Sequence, residues 1–96
     1  MRRAAKVDDN HNEIVDALRQ IGASVKPVHT LKGFVDIVVG YRGINYLIEI
    51  KDGKKPPSKQ KLTEDEQKFH DEWKGQAIVV KNVTEALAVL QFGAKN

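Results

Sequence analysis

The chain has 96 residues, of which 41% are hydrophobic and 30% charged, with a formal charge of +3 and no cysteine. That length supports one domain around one modest core, and the composition excludes a disordered or fibrous chain. The lack of thiols excludes a disulfide framework and every thiolate metal site, leaving carboxylates and histidines as ligands and a reducing cytoplasm as the expected setting.

Residues 10 to 22 read as a helix, because Ile14, Ala17, Leu18 and Ile21 recur at the spacing of one buried stripe and Gly22 supplies a stop. Asn10 and Glu13 form a capping-box pattern at its start. Ser24 to Thr30 is β-rich but holds Pro27, which cannot donate to a sheet ladder, so it reads as an edge strand. Phe34 to Gly40 and Ile44 to Lys51 are rich in Val, Ile and aromatic residues, and the turn chemistry of Gly40, Arg42 and Gly43 joins them as a hairpin.

Residues 52 to 62, with Gly53, Pro56, Pro57 and Ser58, lack a hydrophobic period and read as an exposed loop. Thr63 and Glu66 form a second capping-box pattern, predicting a helix from about Glu64 to Lys74 that Gly75 ends. Phe69 and Trp73 share one face of that helix and read as core residues rather than a base-stacking platform. Gln76 to Lys81 suits a short buried strand, and Val83, Ala86, Leu87 and Leu90 predict a final helix capped by Asn82 and Glu85 and ended by Gly93. The element order is therefore αβββαβα in one α/β domain spanning 1 to 96, with residues 1 to 8 and 93 to 96 peripheral. Ala77 to Val80 is far short of the roughly 18 apolar residues of a membrane span, and Met1-Arg2-Arg3 is not followed by an apolar signal core.

The chemistry concentrates on the hairpin. Alternation along a strand presents Glu49 and Lys51 on one face and Ile48 and Ile50 on the other. A tight turn at Arg42-Gly43 sets Asp36 across from Glu49, with Cβ atoms roughly 4.5 to 5.5 Å apart. Two facing carboxylates in apolar strands repel, and a divalent cation removes the objection; hard oxygen donors favour magnesium or manganese. Lys51 would add positive charge where water attacks a phosphate. Charged residues at strand ends also occur on plain solvated faces, so the pattern alone admits a structural reading.

Val35-Asp36 on one strand and Glu49-Ile50-Lys51 on the next, after a first helix bearing Glu13, resemble the PD-(D/E)xK nuclease superfamily. With the basic loop after Lys51 and the helix opening Leu62-Thr63-Glu64-Asp65-Glu66-Gln67, the chain from about residue 8 to residue 92 most resembles the short, stand-alone, phage-type VRR-NUC domain. The resemblance implies a restriction-endonuclease-like α/β fold with a central mixed sheet flanked by helices. It also implies Mg2+ or Mn2+ dependence and hydrolysis of phosphodiester bonds in branched DNA, as in DNA repair. It casts Asp36 and Glu49 as metal ligands, Ile50 as a backbone-carbonyl ligand, Lys51 as catalytic, Glu13 as a ligand directly or through water, and Gln67 as leaning over the site. Val35 departs from the family's usual proline. Glu13 stays open between cap and site residue.

Lys54, Lys55, Lys59 and Lys61, with Arg2, Arg3 and Lys6, could neutralise DNA phosphates, although such a basic run also suits a solvated loop. His11, His29 and His70 lie on different elements and read as surface or packing residues. The sequence reading is thus a metal-dependent deoxyribonuclease, plausibly a homodimer. Its rivals are a Holliday junction resolvase of the same superfamily and a DNA-binding module that performs no hydrolysis.

Overall fold

The computed structural model describes residues 9–93. Arg2, Arg3, Lys6 and both expected peripheral ends, apart from Gly93, lie outside the described residues. In chain order the elements are α1 (His11–Gln20), β1 (Ser24–Pro27), β2 (Ile37–Tyr41), β3 (Ile44–Ile50), α2 (Pro57–Gln60), α3 (Glu64–Glu72), β4 (Ile78–Val80) and α4 (Val83–Phe92). The strands form one sheet in the order β1-β2-β3-β4. The first three are antiparallel to their neighbours and β4 runs parallel to β3, so the domain is α/β with a four-stranded mixed sheet flanked by helices. Among the described residues no helix is long and apolar enough to cross a membrane.

The expected order αβββαβα acquires one extra turn of helix, α2, inside the segment read as a loop. Pro57 begins it, its ring fixing φ near the helical value where no backbone donor is needed. The strands also shorten: β2 starts at Ile37 rather than Phe34. Residues 34 and 35 leave the ladder because the chain bends there, carrying the Phe34 ring onto Phe69 and Trp73, with centroids 5.5 and 6.1 Å away.

Ile14 and Leu18 of α1, Ile37 and Val39 of β2, and Ile48 of β3 have no exposed surface, and with Ile50, Val80, Ala86 and Leu90 they form the core. Each such side chain contributes about 1.5–3 kcal/mol on burial. These residues occupy one face of the sheet, where α1 and α4 pack against it and against each other. Alternation along β3 sends Glu49 and Lys51 to the other face.

Five sequence expectations about caps, packing and element ends are corrected. Asn10 precedes α1 but makes no side-chain cap. It is only 8% exposed, and its Nδ2 donates to the carbonyls of Lys51 and Lys81 at 3.2 and 3.1 Å, tying the ends of β3 and β4 together. Phe69 and Trp73 are not core: α3 has no buried residue and Trp73 is 44% exposed, because this helix meets the rest of the fold through the Phe34 rings and a few polar contacts rather than across the sheet. That helix ends at Glu72, ahead of Gly75. β4 is an edge strand in which only Val80 is buried. At α4, Asn82 caps as expected by accepting from the Glu85 amide at 2.8 Å, while the Glu85 carboxylate accepts from the Lys81 amide instead of closing a box. The Thr63–Glu66 capping box is complete.

The hairpin register follows from its turn. Arg42 and Gly43 have φ of 53° and 81°, the two positive values of a type I′ connection, and the pairs run from Tyr41↔Ile44 to Ile37↔Ile48. Arg42 tolerates the left-handed region poorly, although its guanidinium lies 5.2 Å from the Tyr41 ring centre. Arg42→Asn creates the preferred Asn-Gly turn and is expected to stabilise the domain by about 0.5 kcal/mol after loss of the ring contact. Thermal unfolding reads this as a rise of about 2–4 °C, and an unchanged or lower midpoint would show that the turn is not strained.

Candidate active site

Asp36 stands immediately before β2, where the hairpin register carries it across from Glu49. Its backbone locks it there: its amide donates to Ile48 O at 3.1 Å, and its carbonyl accepts from Val28 N at 2.8 Å. The Asp36 Oδ2 atom accepts from the Ile50 amide at 2.7 Å, so the carboxylate is held against the strand rather than waving in solvent. The amide and carbonyl of one strand residue point to the same side, so the Ile50 carbonyl is also directed toward Asp36.

Glu49 is 2% exposed, lies within hydrogen-bonding reach of the Asp36 and Glu66 carboxyls, and has an Oε1 atom with no hydrogen-bond partner. Lys51 is 8% exposed on the same face of β3, and its ammonium donates to Glu66 Oε1 at 2.7 Å. The structure therefore brings Asp36, Glu49 and Lys51 together, as the register argument requires, and adds Glu66.

Burial first, then the neighbouring Asp36 and Glu66 carboxyls, push the Glu49 carboxyl up to about 10. Without a cation beside it, Glu49 holds its proton at neutral pH. Burial alone would raise Glu66 too, but hydrogen bonds from Lys51 and the Thr63 backbone, with the Lys51 charge, hold it below the usual carboxylate range. The two carboxyls thus have opposed titration for a visible reason: Glu66 has cationic and amide donors, whereas Glu49 meets acids.

Glu66 was legible in the sequence only as the third residue of a capping box. Its Oε1 does accept from the Thr63 amide at 2.8 Å, and the same oxygen receives Lys51, so one atom serves both the helix cap and the site.

Asp36, Glu49 and Glu66 line an open cavity of about 380 Å³ together with His29, Thr30 and Lys32 of the β1–β2 connection. Gln67 is not brought to it: its amide donates to Asp71 Oδ1 at 2.9 Å on the exposed side of α3, where the i, i+4 spacing makes that the nearer partner. Glu13 is exposed on α1 and lines a separate cavity of about 500 Å³ with Asp52, Lys54 and Lys55. The structure thus leaves Glu13 neither as the partner of an Asn10 cap nor among the carboxyls around Glu49. Lys55 reaches Asp9 at 3.3 Å, and Lys54, Lys59 and Lys61 are exposed outside the Asp36–Glu49 cavity. The cation that does line it, Lys32, was not singled out by the sequence reading.

Whether these donors suit a divalent cation can be judged from their chemistry. Among the described residues no three acidic or imidazole side chains converge as a ready metal cage. Magnesium does not require one, since it keeps several waters and is commonly bound through one or two carboxylates plus substrate phosphates. Asp36 and the orphaned Oε1 of Glu49 are hard oxygen donors of that kind, and the Ile50 carbonyl beside them is another. The fit is to an open site shared with a phosphate, not to a closed structural one.

No protein-family model, curated protein or solved structure matches this chain.

Proposed function

We propose that the protein is a magnesium- or manganese-dependent deoxyribonuclease of the PD-(D/E)xK type, resembling a stand-alone VRR-NUC domain. The observation that carries this reading is the Asp36–Glu49 carboxyl pair, held beside Lys51 at the floor of an open cavity, with one buried Glu49 oxygen lacking a partner. Burying an acid against acids weakens the fold, and neither the core nor the sheet requires it.

Asp36, Glu49 and the Ile50 carbonyl would hold the cation. When bound, it lowers the pKa of a water and offsets the charge of a phosphodiester, so that hydrolysis proceeds near neutral pH. The chain's residues do the rest. The Ile50 amide fixes Asp36 Oδ2 and so holds the carboxylate at the cavity wall. Lys51 places a positive charge on the same face, where it stabilises charge developing on the phosphate, and Glu66 orients its ammonium. A polyanion would be repelled by so many carboxyls unless a cation balanced them, which links substrate binding to metal binding.

Lys54, Lys59 and Lys61 lie outside the cavity and are free to contact phosphates further along a DNA strand, where they position without reading sequence. The test is cleavage of labelled single-stranded, duplex, splayed-arm and four-way-junction DNA with magnesium or manganese by the parent chain and by Asp36→Asn. Metal-dependent cleavage by the parent, reduced at least about 10³-fold in the folded variant, is expected. A clear preference for the four-way junction would make the enzyme a junction resolvase. DNA binding that ignores metal and survives Asp36→Asn, without cleavage by the parent, would instead make the domain a binding module.

A further inference from the structure

The Asp36–Glu49 cavity needs more than carboxylates if it is to take a phosphodiester, because the non-bridging oxygens turned away from the cation require donors. The lysine-rich segment after β3 does not supply them there, since none of Lys54, Lys55, Lys59 or Lys61 lines this cavity. The β1–β2 connection also lines the cavity, and it brings His29, Thr30 and Lys32.

His29 is seated unusually firmly for a loop residue. It occupies the corner of a turn closed by Leu31 N donating to Val28 O at 2.9 Å, and the same Val28 donates its own amide to Asp36 O at 2.8 Å. The backbone presenting the imidazole is therefore fastened to the residue presenting the first carboxylate. From behind, the His29 ring packs edge-on against His11 at 5.2 Å and 74°, and His11 is itself 4% exposed on α1. The Nδ1 atom of His29 is enclosed without a hydrogen-bond partner, so Nε2 is the nitrogen left to meet a ligand.

Resting on the nuclease reading, we propose that His29 is a substrate-contacting residue of this site, donating from Nε2 to a non-bridging phosphate oxygen, with His11 as the positioning residue behind it. The ligand class is a phosphodiester, and recognition is of the phosphate rather than the base. Lys32 adds charge from the same connection, and Asp36, Glu49, Asp65 and Glu66 line the cavity with the imidazole.

Two measurements test this together. In manganese-supported cleavage, His29→Phe keeps a ring against His11 but removes the donor, and His29→Gln restores an N–H. Loss of one hydrogen bond to a charged phosphate predicts a fall in kcat/KM of about 10- to 100-fold in His29→Phe with partial recovery in His29→Gln, both folded by circular dichroism. In the parent chain labelled with ¹⁵N-histidine, inorganic phosphate should shift the Nε2 resonance of His29, and His11→Phe should weaken that response while leaving the thermal midpoint within a few degrees.

Cleavage by the parent with equal kcat/KM in His29→Phe would overturn the assignment of His29 and leave the nuclease standing. A parent that cleaves nothing overturns the nuclease reading. In that case the ¹⁵N response decides His29 alone: a shift keeps it as an anion-binding residue, and a flat titration removes it.

Discussion

Glu49→Gln is expected to make the metal-free protein more stable while abolishing the proposed cleavage. Glu49 is protonated in the fold up to about pH 10, whereas in the unfolded chain it ionises near 4.5. Between those values the folded state binds the extra proton, so stability falls as pH rises, by at most about 1.4 kcal/mol per pH unit. The contribution is fully present below 4.5 and lost as pH rises through about 10. Glutamine keeps the shape and the neutral charge without offering the unfolded chain an ionisable group. At pH 7.5 the gain should be on the order of 2 kcal/mol, or roughly 8–16 °C in thermal midpoint for a domain of this size. Manganese should raise the parent's midpoint more at pH 8 than at pH 6, because ligation requires the deprotonated acid, and should do little for Glu49→Gln. Equal midpoints for parent and variant at pH 8, with no slope in the parent, would mean that Glu49 is an ordinary solvated acid.

That coupling of instability to position is what made the site legible in the sequence. The Arg42-Gly43 turn fixed the hairpin register, the register set Asp36 across from Glu49, and two-residue alternation put Lys51 beside Glu49; each step uses only local geometry. The helices were equally readable, since their stripes and caps are short-range patterns. What failed depended on tertiary packing. Asn10 looks like a cap from its neighbours in sequence, but its side chain is drawn to carbonyls at Lys51 and Lys81 that no local pattern foretells. Phe69 and Trp73 share a helical face, yet the face leads to a small aromatic cluster with Phe34 rather than to the core.

The residues of the site that were missed lie on the elements that close the cavity rather than on those that build its floor. Glu66 was absorbed by its capping role, and His29 and Lys32 sit in a connection whose path over the sheet end is set by Val28 and Asp36. Glu13 and Gln67 show the converse. Their positions in the sequence suit the family pattern, but Glu13 projects into another cavity and Gln67 turns to Asp71. Asp36, Glu49 and Lys51 can be argued from strand geometry alone, whereas these two rested on resemblance.

Lys51 offers the sharpest separation of structure from chemistry, through a double-mutant cycle with Glu66. Removing the ammonium with Lys51→Met leaves Glu66 and its neighbouring carboxyls without their nearest cation, and should destabilise the fold by about 2–4 kcal/mol. The loss is smaller than for a fully buried pair because Glu66 keeps 23% of its side chain exposed to screening water. Glu66→Gln should cost less, about 1–2 kcal/mol, since the amide oxygen can still accept from Lys51 and at the helix cap. In the double variant no unbalanced member of the pair remains, so the losses should be less than additive by about 2–3 kcal/mol, leaving the double variant more stable than Lys51→Met alone. Cleavage should follow a different pattern. Lys51→Met should lose about 10²- to 10⁴-fold, Glu66→Gln should retain a measurable fraction, and the double variant should recover stability without recovering activity. A double variant that regained both would show Lys51 to be a counter-charge for the acids and nothing more. Recovery of the fold alone would leave the ammonium with a part in the reaction that packing does not explain.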